Sequence, residues 1–321
     1  MILQGIDFGN VFLASGALNF FGEGWPYHRL YKIMPGFDFS GATFISKTTT
    51  LYQRTGNMPL TANLQPKQLM PVCIKVYPFR GVVLNSVGLS GPGVQVLLNL
   101  NQWQKIQEPF LLSFMAVDTT PQKREEEIRI FTDLLRQALS DFLTPIGLEI
   151  NISCPNTQHN PNELIKEVVS QLEIASKLRI PLMVKLNVLA SPHAVKEICD
   201  SGLCDGIECS NTIPWGQLPD LVHWNDLFGV TISPLAKLGG GGLSGWPLVE
   251  IVTDWIKRVR DTGITIPIIA GGGIGCRRDY RQGILAHQEA GANGISIGTA
   301  MMIRPWRIRK IIDFGNKVFG N

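Results

Sequence analysis

Eight short apolar runs, rich in Val, Ile and Phe and bounded by Gly, Pro, Asn or Asp, recur along this chain and alternate with stretches of helical period. They lie around Val11–Ser15, Ala42–Lys47, Phe110–Val117, Gly147–Ser153, Leu182–Leu186, Gly206–Ser210, Pro267–Ala270 and Gly294–Gly298. The runs are continuously apolar rather than alternating, as expected of strands buried on both faces of a parallel sheet. Between them, Glu125–Phe142, Glu163–Lys177, Ala194–Asp200, Leu248–Thr262, Arg278–Glu289 and Trp306–Val318 read as amphipathic helices. In Glu163–Lys177 the residues Leu164, Ile165, Val168, Leu172 and Ala175 follow one helix face. Strands alternating with helices predict an α/β fold, and eight strands in 321 residues favour a closed (β/α)8 TIM barrel over an open sheet. The Pro-, Gly- and Asn-rich stretch Leu51–Trp103 fits neither period. It is read as a long insertion between the second and third strands, of the kind that builds substrate sites. No linker or repeat breaks the pattern, so residues 1–321 are read as one domain.

Composition narrows the function classes. With 45% hydrophobic and 17% charged residues the chain has material for a sizeable core and is no disordered polyelectrolyte. A net charge of +3 leaves no electrostatic footprint for nucleic acid. The basic cluster Arg304, Arg307, Arg309 and Lys310 reads as a solvated helix face. Six cysteines without a C-x-x-C pair form no disulfide framework and no zinc or iron–sulfur pattern, so free thiols in a reducing compartment are expected and no metal is. There is no basic leader before the first apolar stretch and no run of about 18 apolar residues, so a cytoplasmic protein without a membrane span is expected.

A parallel barrel builds its active site at the C-terminal ends of its strands. The polar residues at those ends are Ser15, the run Ser46-Lys47-Thr48-Thr49-Thr50, Asn151 to Asn156, Lys185, Ser210-Asn211-Thr212, Gly271-Gly272-Gly273 and Gly298-Thr299. Glycine turns at the last two strands suit a phosphate, because no Cβ blocks approach to the backbone N–H groups. Neither turn has the spacing of a P-loop or a dinucleotide fingerprint, so a mononucleotide such as FMN fits better than NAD. The run Gly239–Gly245 reads as a flexible segment able to close over a ligand. Lys47 and Lys185 stand where a charge must reach solvent or meet an anion. Asn85, Asn151, Asn156 and Asn211 offer donors and acceptors suited to a planar molecule with amide edges. Cys154, in Ser-Cys-Pro-Asn just past a strand, is a candidate base once its pKa is tuned, whereas the other five cysteines read as small buried hydrophobes. His159 reads as a solvated loop side chain.

Taken together, these segments resemble the dihydroorotate dehydrogenases, the flavin enzymes of pyrimidine (UMP) synthesis. The matching pieces are Ala14-Ser15-Gly16, Ser46–Thr50, Asn85-Ser86-Val87-Gly88-Leu89, Asn151–Asn156, Val184-Lys185-Leu186, Ser210-Asn211-Thr212, Gly242-Leu243-Ser244-Gly245, Gly271-Gly272-Gly273-Ile274 and Ile297-Gly298-Thr299-Ala300, in the family's order. The resemblance implies FMN with its phosphate on Gly272, Gly273, Gly298 and Thr299 and a further backbone contact at Gly245. It implies that Ser15, Lys47, Thr48, Asn151 and Ser210 border the flavin and that Lys185 sits at its pyrimidine edge, favouring the reduced ring. Asn85, Asn151, Asn156, Asn211 and Thr212 would hold the substrate ring and carboxylate, with Lys47 pairing the carboxylate and Val87, Gly88 and Leu89 closing one side. Cys154 would take the C5 proton of dihydroorotate while hydride leaves C6 for flavin N5.

Cysteine at that position is similar to the soluble class, which passes electrons to a small acceptor or a partner subunit; a homodimer is the default assembly. Two departures stand out. Gly91 occupies a position that is often Asn, and Thr157-Gln158-His159-Asn160 lacks a common glycine. Two other readings compete: a flavin oxidoreductase of another dihydropyrimidine-like substrate, and a non-redox barrel that binds a phosphorylated ligand.

Overall fold

The computed structural model describes residues 1–32, 37–152 and 161–320, with 161–166 described as backbone only. Cys154, Asn156 and His159, with the departure at 157–160, therefore lie outside the described residues.

Each of the eight apolar runs forms a barrel strand: Val11–Leu13 (β1), Thr43–Phe44 (β2), Phe110–Phe114 (β3), Ile146–Asn151 (β4), Leu182–Leu186 (β5), Gly206–Cys209 (β6), Ile268–Gly271 (β7) and Gly294–Ile297 (β8). All neighbours pair in parallel, in the order β2-β1-β8-β7-β6-β5-β4-β3. Parallel bridges Ile45–Leu111 and Thr49–Phe114 bring the two end strands together, so the sheet is a (β/α)8 TIM barrel.

Helices pack outside. That of Pro121–Ala138 begins four residues before the apolar period suggests, because Thr120 accepts a hydrogen bond from the Lys123 amide and Pro121 starts the first turn. Leu248–Asp261 buries Leu248, Ile251, Val252, Trp255, Ile256 and Val259, one face of a 3.6-residue period.

The barrel interior is stratified, because alternate residues of each strand point inward. At the N-terminal end Phe12, Ile45, Leu111, Met183 and Ile269 make an apolar layer, sealed by Leu3 and Phe8 from the N-terminal hairpin Ile2–Leu3/Ile6–Asp7. One layer higher the interior turns polar, with Ser113, Glu149, Lys185, Glu208 and Ser296 all buried. The pocket opens above this layer.

Two chain segments outside the barrel meet over its mouth. Ile74–Tyr77 and Val82–Asn85 follow β2, Ile213–Pro214 and Gly242–Gly245 follow β6, and the four pair as an antiparallel sheet. The expectation of a flexible closing segment at Gly239–Gly245 is corrected here: Gly242–Gly245 is a strand held along Val82–Asn85, and only its partner strand, not its own composition, makes it one. The basic cluster is also more engaged than a solvated face. Arg304 donates to the Cys276 carbonyl, Arg307 to those of Arg277 and Arg278, and Arg309 pairs with Asp38 and Asp313. Among the described residues Cys73, Cys199, Cys204, Cys209 and Cys276 are free thiols, and no helix is long and apolar enough to cross a membrane.

Candidate active site

A cavity of about 920 Å³ occupies the C-terminal mouth of the barrel. Its wall gathers Ser15, Lys47 and Thr48 from the ends of β1 and β2, Asn151 from β4, Lys185 from β5, and Ser210, Asn211 and Thr212 after β6. Gly272, Gly273, Gly298 and Thr299 follow β7 and β8, while Asn85, Val87, Gly88 and Leu89 come from the overlying sheet and its loop. Of the described candidates, Gly245 alone is set back from this wall. A side chain there would meet the Gly81 carbonyl at 2.3 Å, at a φ of +126°.

The register of the central strands places the key groups at one level. Asn151 pairs with Lys185 and Lys185 with Glu208 across β4, β5 and β6. The Lys185 ammonium lies 3.1 Å from Glu208 Oε1, 3.7 Å from Glu149 Oε2 and 3.4 Å from Ser15 Oγ. Lys185 is 5% exposed, Glu149 0% and Glu208 1%. Ser113 donates to Glu149 Oε1 at 2.6 Å, and Ser296 to Glu208 Oε1 at 2.8 Å. Burial drives the Glu149 carboxyl well above the usual carboxylate range, and the nearby Glu208 charge adds to the rise while Lys185 opposes it. Burial pushes Glu208 the same way, but the Lys185 charge, the neighbouring Glu149 carboxyl and hydrogen bonds from Ser296 and Lys185 outweigh it and leave that carboxyl below its usual range.

Above this layer runs a hydroxyl and amide chain. Thr48 Oγ1 meets Ser15 Oγ at 3.1 Å and Ser113 Oγ at 2.8 Å and accepts from Asn151 Nδ2 at 3.1 Å. Asn211 Nδ2 donates to Asn151 Oδ1 at 3.4 Å. Lys47 donates to the Ser90 carbonyl and lies 4.8 Å over the Phe20 ring. That ring also accounts for Gly91, where a Cβ would come within 3.1 Å of Phe20 Cζ.

The glycine turns have structural reasons beyond a ligand. Gly272 and Gly273 have φ of +124° and +74°, and a Cβ there would meet Leu248 Cβ at 2.9 Å and Val249 Cγ2 at 2.4 Å. The first turn is braced from beneath by buried His287, whose Nε2 lies 3.2 Å from the Gly272 carbonyl and Nδ1 3.2 Å from the Thr253 hydroxyl. A carbonyl only accepts, so Nε2 carries the hydrogen, while the Thr253 hydroxyl donates to the Val249 carbonyl at 2.7 Å. Burial holds His287 at about 4 against an ordinary 6.5, and His28 likewise at about 4.

The unfolded chain thus binds more protons between those values, and stability falls as pH drops from about 6.5 toward 4. A His287→Gln variant is expected to lose less melting temperature between pH 7 and pH 5 than the parent by calorimetry; an equal loss would show that this ring does not carry the effect.

Glu149, Glu208, Ser113 and Ser296 escape the sequence reading. Glu149 stands two residues before Asn151, hence on the same inward face, and Glu208 is the one charge in Gly206–Cys209, so alternation and charge together mark them. The outer rim, with Tyr27, Leu30, Tyr31, Leu69, Met70 and Val72, has no such signal. No group of three metal-ligating side chains exists among the described residues.

A parallel barrel with a lysine and amides at its inner floor and glycine turns on its last two strands has the build of a barrel enzyme. The dihydroorotate dehydrogenase sequence profile matches residues 2–316. The chain belongs to the dihydroorotate dehydrogenase family and is an oxidoreductase. Among its relatives, a dihydroorotate dehydrogenase B (NAD(+)), catalytic subunit, of Streptococcus pneumoniae serotype 4 is 28% identical over 97% of this chain and 89% of that protein. The corresponding subunit of Anoxybacillus flavithermus is 29% identical over 97% and 87%. A dihydroorotate dehydrogenase A (fumarate) of Lactobacillus delbrueckii subsp. bulgaricus is 28% identical over 80% and 74%. A solved dihydrodipicolinate synthase of Rhodopseudomonas palustris overlaps 66% of this chain and 56% of its own at 11% identity and a TM-score of 0.29, too slight a likeness to carry weight.

Proposed function

We propose that this protein oxidises dihydroorotate to orotate with bound FMN. The observation that carries the reading is one cavity that joins two chemistries: the glycine turns Gly272-Gly273 and Gly298-Thr299 on one side, and Lys185 with Asn151, Asn211 and Lys47 on the other. A volume of about 920 Å³ accommodates a mononucleotide and a small ring together. The relatives' names, which specify dihydroorotate oxidation with fumarate or NAD(+), support the substrate.

In this reading the backbone of Gly272, Gly273, Gly298 and Thr299 holds the FMN phosphate, and Gly245 supports the turn from behind. Ser15, Thr48, Asn151, Ser210 and Lys185 border the ring. FMN supplies a hydride acceptor when bound. Lys47 attracts the substrate carboxylate, and Asn85, Asn151, Asn156, Asn211 and Thr212 orient the substrate through paired donors and acceptors. Val87, Gly88 and Leu89 close one side. Cys154 receives the proton from C5 as hydride leaves C6, so both electrons of the C6–H bond depart with the hydride and the C5–C6 double bond forms. Electrons then go to a small acceptor or to a partner subunit, as the catalytic-subunit names of the NAD(+) relatives suggest. A cytoplasmic homodimer completes the proposal.

The test is the visible spectrum of the purified protein under anaerobic conditions, before and after dihydroorotate. Flavin absorbance that bleaches is the expected result. Absorbance that persists would move the reading to another dihydropyrimidine-like substrate, and a protein that takes up no flavin on reconstitution would point to a non-redox phosphate-binding barrel.

A further inference from the structure

The floor of the cavity holds two carboxyls for one ammonium. Glu149 on β4 and Glu208 on β6 flank Lys185 on β5, and all three are buried. Among the described residues Lys185 is the cation within 4 Å of either carboxyl. Neutral hydroxyls also contact the trio: Ser15 just after β1, Ser113 from β3 and Ser296 from β8. Each carboxyl has one oxygen engaged by a serine; the Oε2 of each has no hydrogen-bond donor, and that of Glu149 has the Lys185 ammonium at 3.7 Å. Both carboxyls approach the same ammonium, at 3.1 and 3.7 Å, so the two meet at one point of the floor. Two bare carboxylates meeting in a dry interior repel strongly, and each orphan oxygen is costly, but a single hydrogen between them relieves both problems.

We propose that Glu149 and Glu208 share one proton, so that Lys185 and the pair form an electroneutral unit that limits how much positive charge reaches the ring bound above. The two glutamates are positioning residues, acting on the bound ring through Lys185. Their charge state is a property of the pair rather than of either residue. The part of the proposal that concerns the ring rests on the FMN reading above; the shared proton does not.

The shared proton is tested first on flavin-free protein by infrared spectroscopy near pH 7. The parent is expected to give a carboxylic-acid carbonyl band that shifts in heavy water, and this band should vanish in both Glu149→Gln and Glu208→Gln. In each variant the remaining carboxyl ionises against Lys185. No band in the parent would mean that both groups are charged, and a band that survives in either variant would mean that the proton is not shared; both overturn the proposal.

The second measurement is the flavin midpoint potential of reconstituted protein. Each single variant removes a carboxyl together with the proton, so net charge is unchanged and the ratio of reduced to oxidised flavin at fixed potential should stay within about threefold. The double variant leaves Lys185 uncompensated and should raise that ratio about tenfold or more, roughly 30 mV for a two-electron couple. Equal shifts in single and double variants would overturn it. Protein that takes up no flavin would defeat the FMN reading while leaving the infrared result to stand or fall alone.

Discussion

Replacing Lys185 by alanine is expected to cost the protein stability and its hold on reducible flavin together. The ammonium is the shared counter-charge of Glu149 and Glu208, and breaking a buried ion pair from one side typically costs about 3–5 kcal/mol. The loss should depend on pH in a defined direction. Without the cation both buried carboxyls have folded-state pKa values raised above their unfolded ones, so the variant keeps its stability at low pH and loses it as pH rises through the raised values. The stability gap between parent and variant, followed by thermal or urea denaturation, should therefore narrow as pH falls toward the ordinary carboxylate range. Flavin release, read as the gain in free FMN fluorescence, or a failure of bound flavin to bleach, should accompany it. A variant with normal stability and normal bleaching would remove Lys185 from the centre of the site.

Replacing Cys154 by serine should act on rate alone. If Cys154 takes the C5 proton, a hydroxyl in its place is a far weaker base at neutral pH, and positioned acid–base groups contribute about 10²–10⁴ in rate. Single-turnover reduction of the flavin by dihydroorotate is expected to slow at least about a hundredfold, while flavin content and melting temperature stay near those of the parent. Unchanged reduction would assign the proton to another group. Among the described cysteines no competitor is evident: burial pushes Cys73 and Cys199 up to about 11 and Cys276 to about 12, so these thiols stay protonated.

The barrel was legible in the chain because strands buried on both faces need no alternation and stand out as unbroken apolar runs; all eight lie where such runs occur. Helix ends were less so. The period of Pro121–Ala138 begins to read at Glu125, while its true start depends on the local bond between Thr120 and the Lys123 amide. Gly242–Gly245 could not be read as a strand at all, since glycine has no preference for one and the pairing with Val82–Asn85 comes from about 160 residues away. The site divided in the same way. Residues at strand ends, such as Lys47, Asn151, Lys185 and Asn211, were found because barrel geometry says where to look. Glu149 and Glu208 were missed because they lie inside runs read only as hydrophobic.

The stratified interior also bears on how such a protein can change over evolutionary time. The polar floor is made by strands that simultaneously hold the barrel closed, so an altered charge there must survive both folding and chemistry at once. The rim around Tyr27, Leu30, Leu69 and Met70 hangs on loops and a short helix outside the barrel and carries no such double duty. Drift in what enters the cavity can accumulate at the rim, one tolerated substitution at a time, over a floor that stays put.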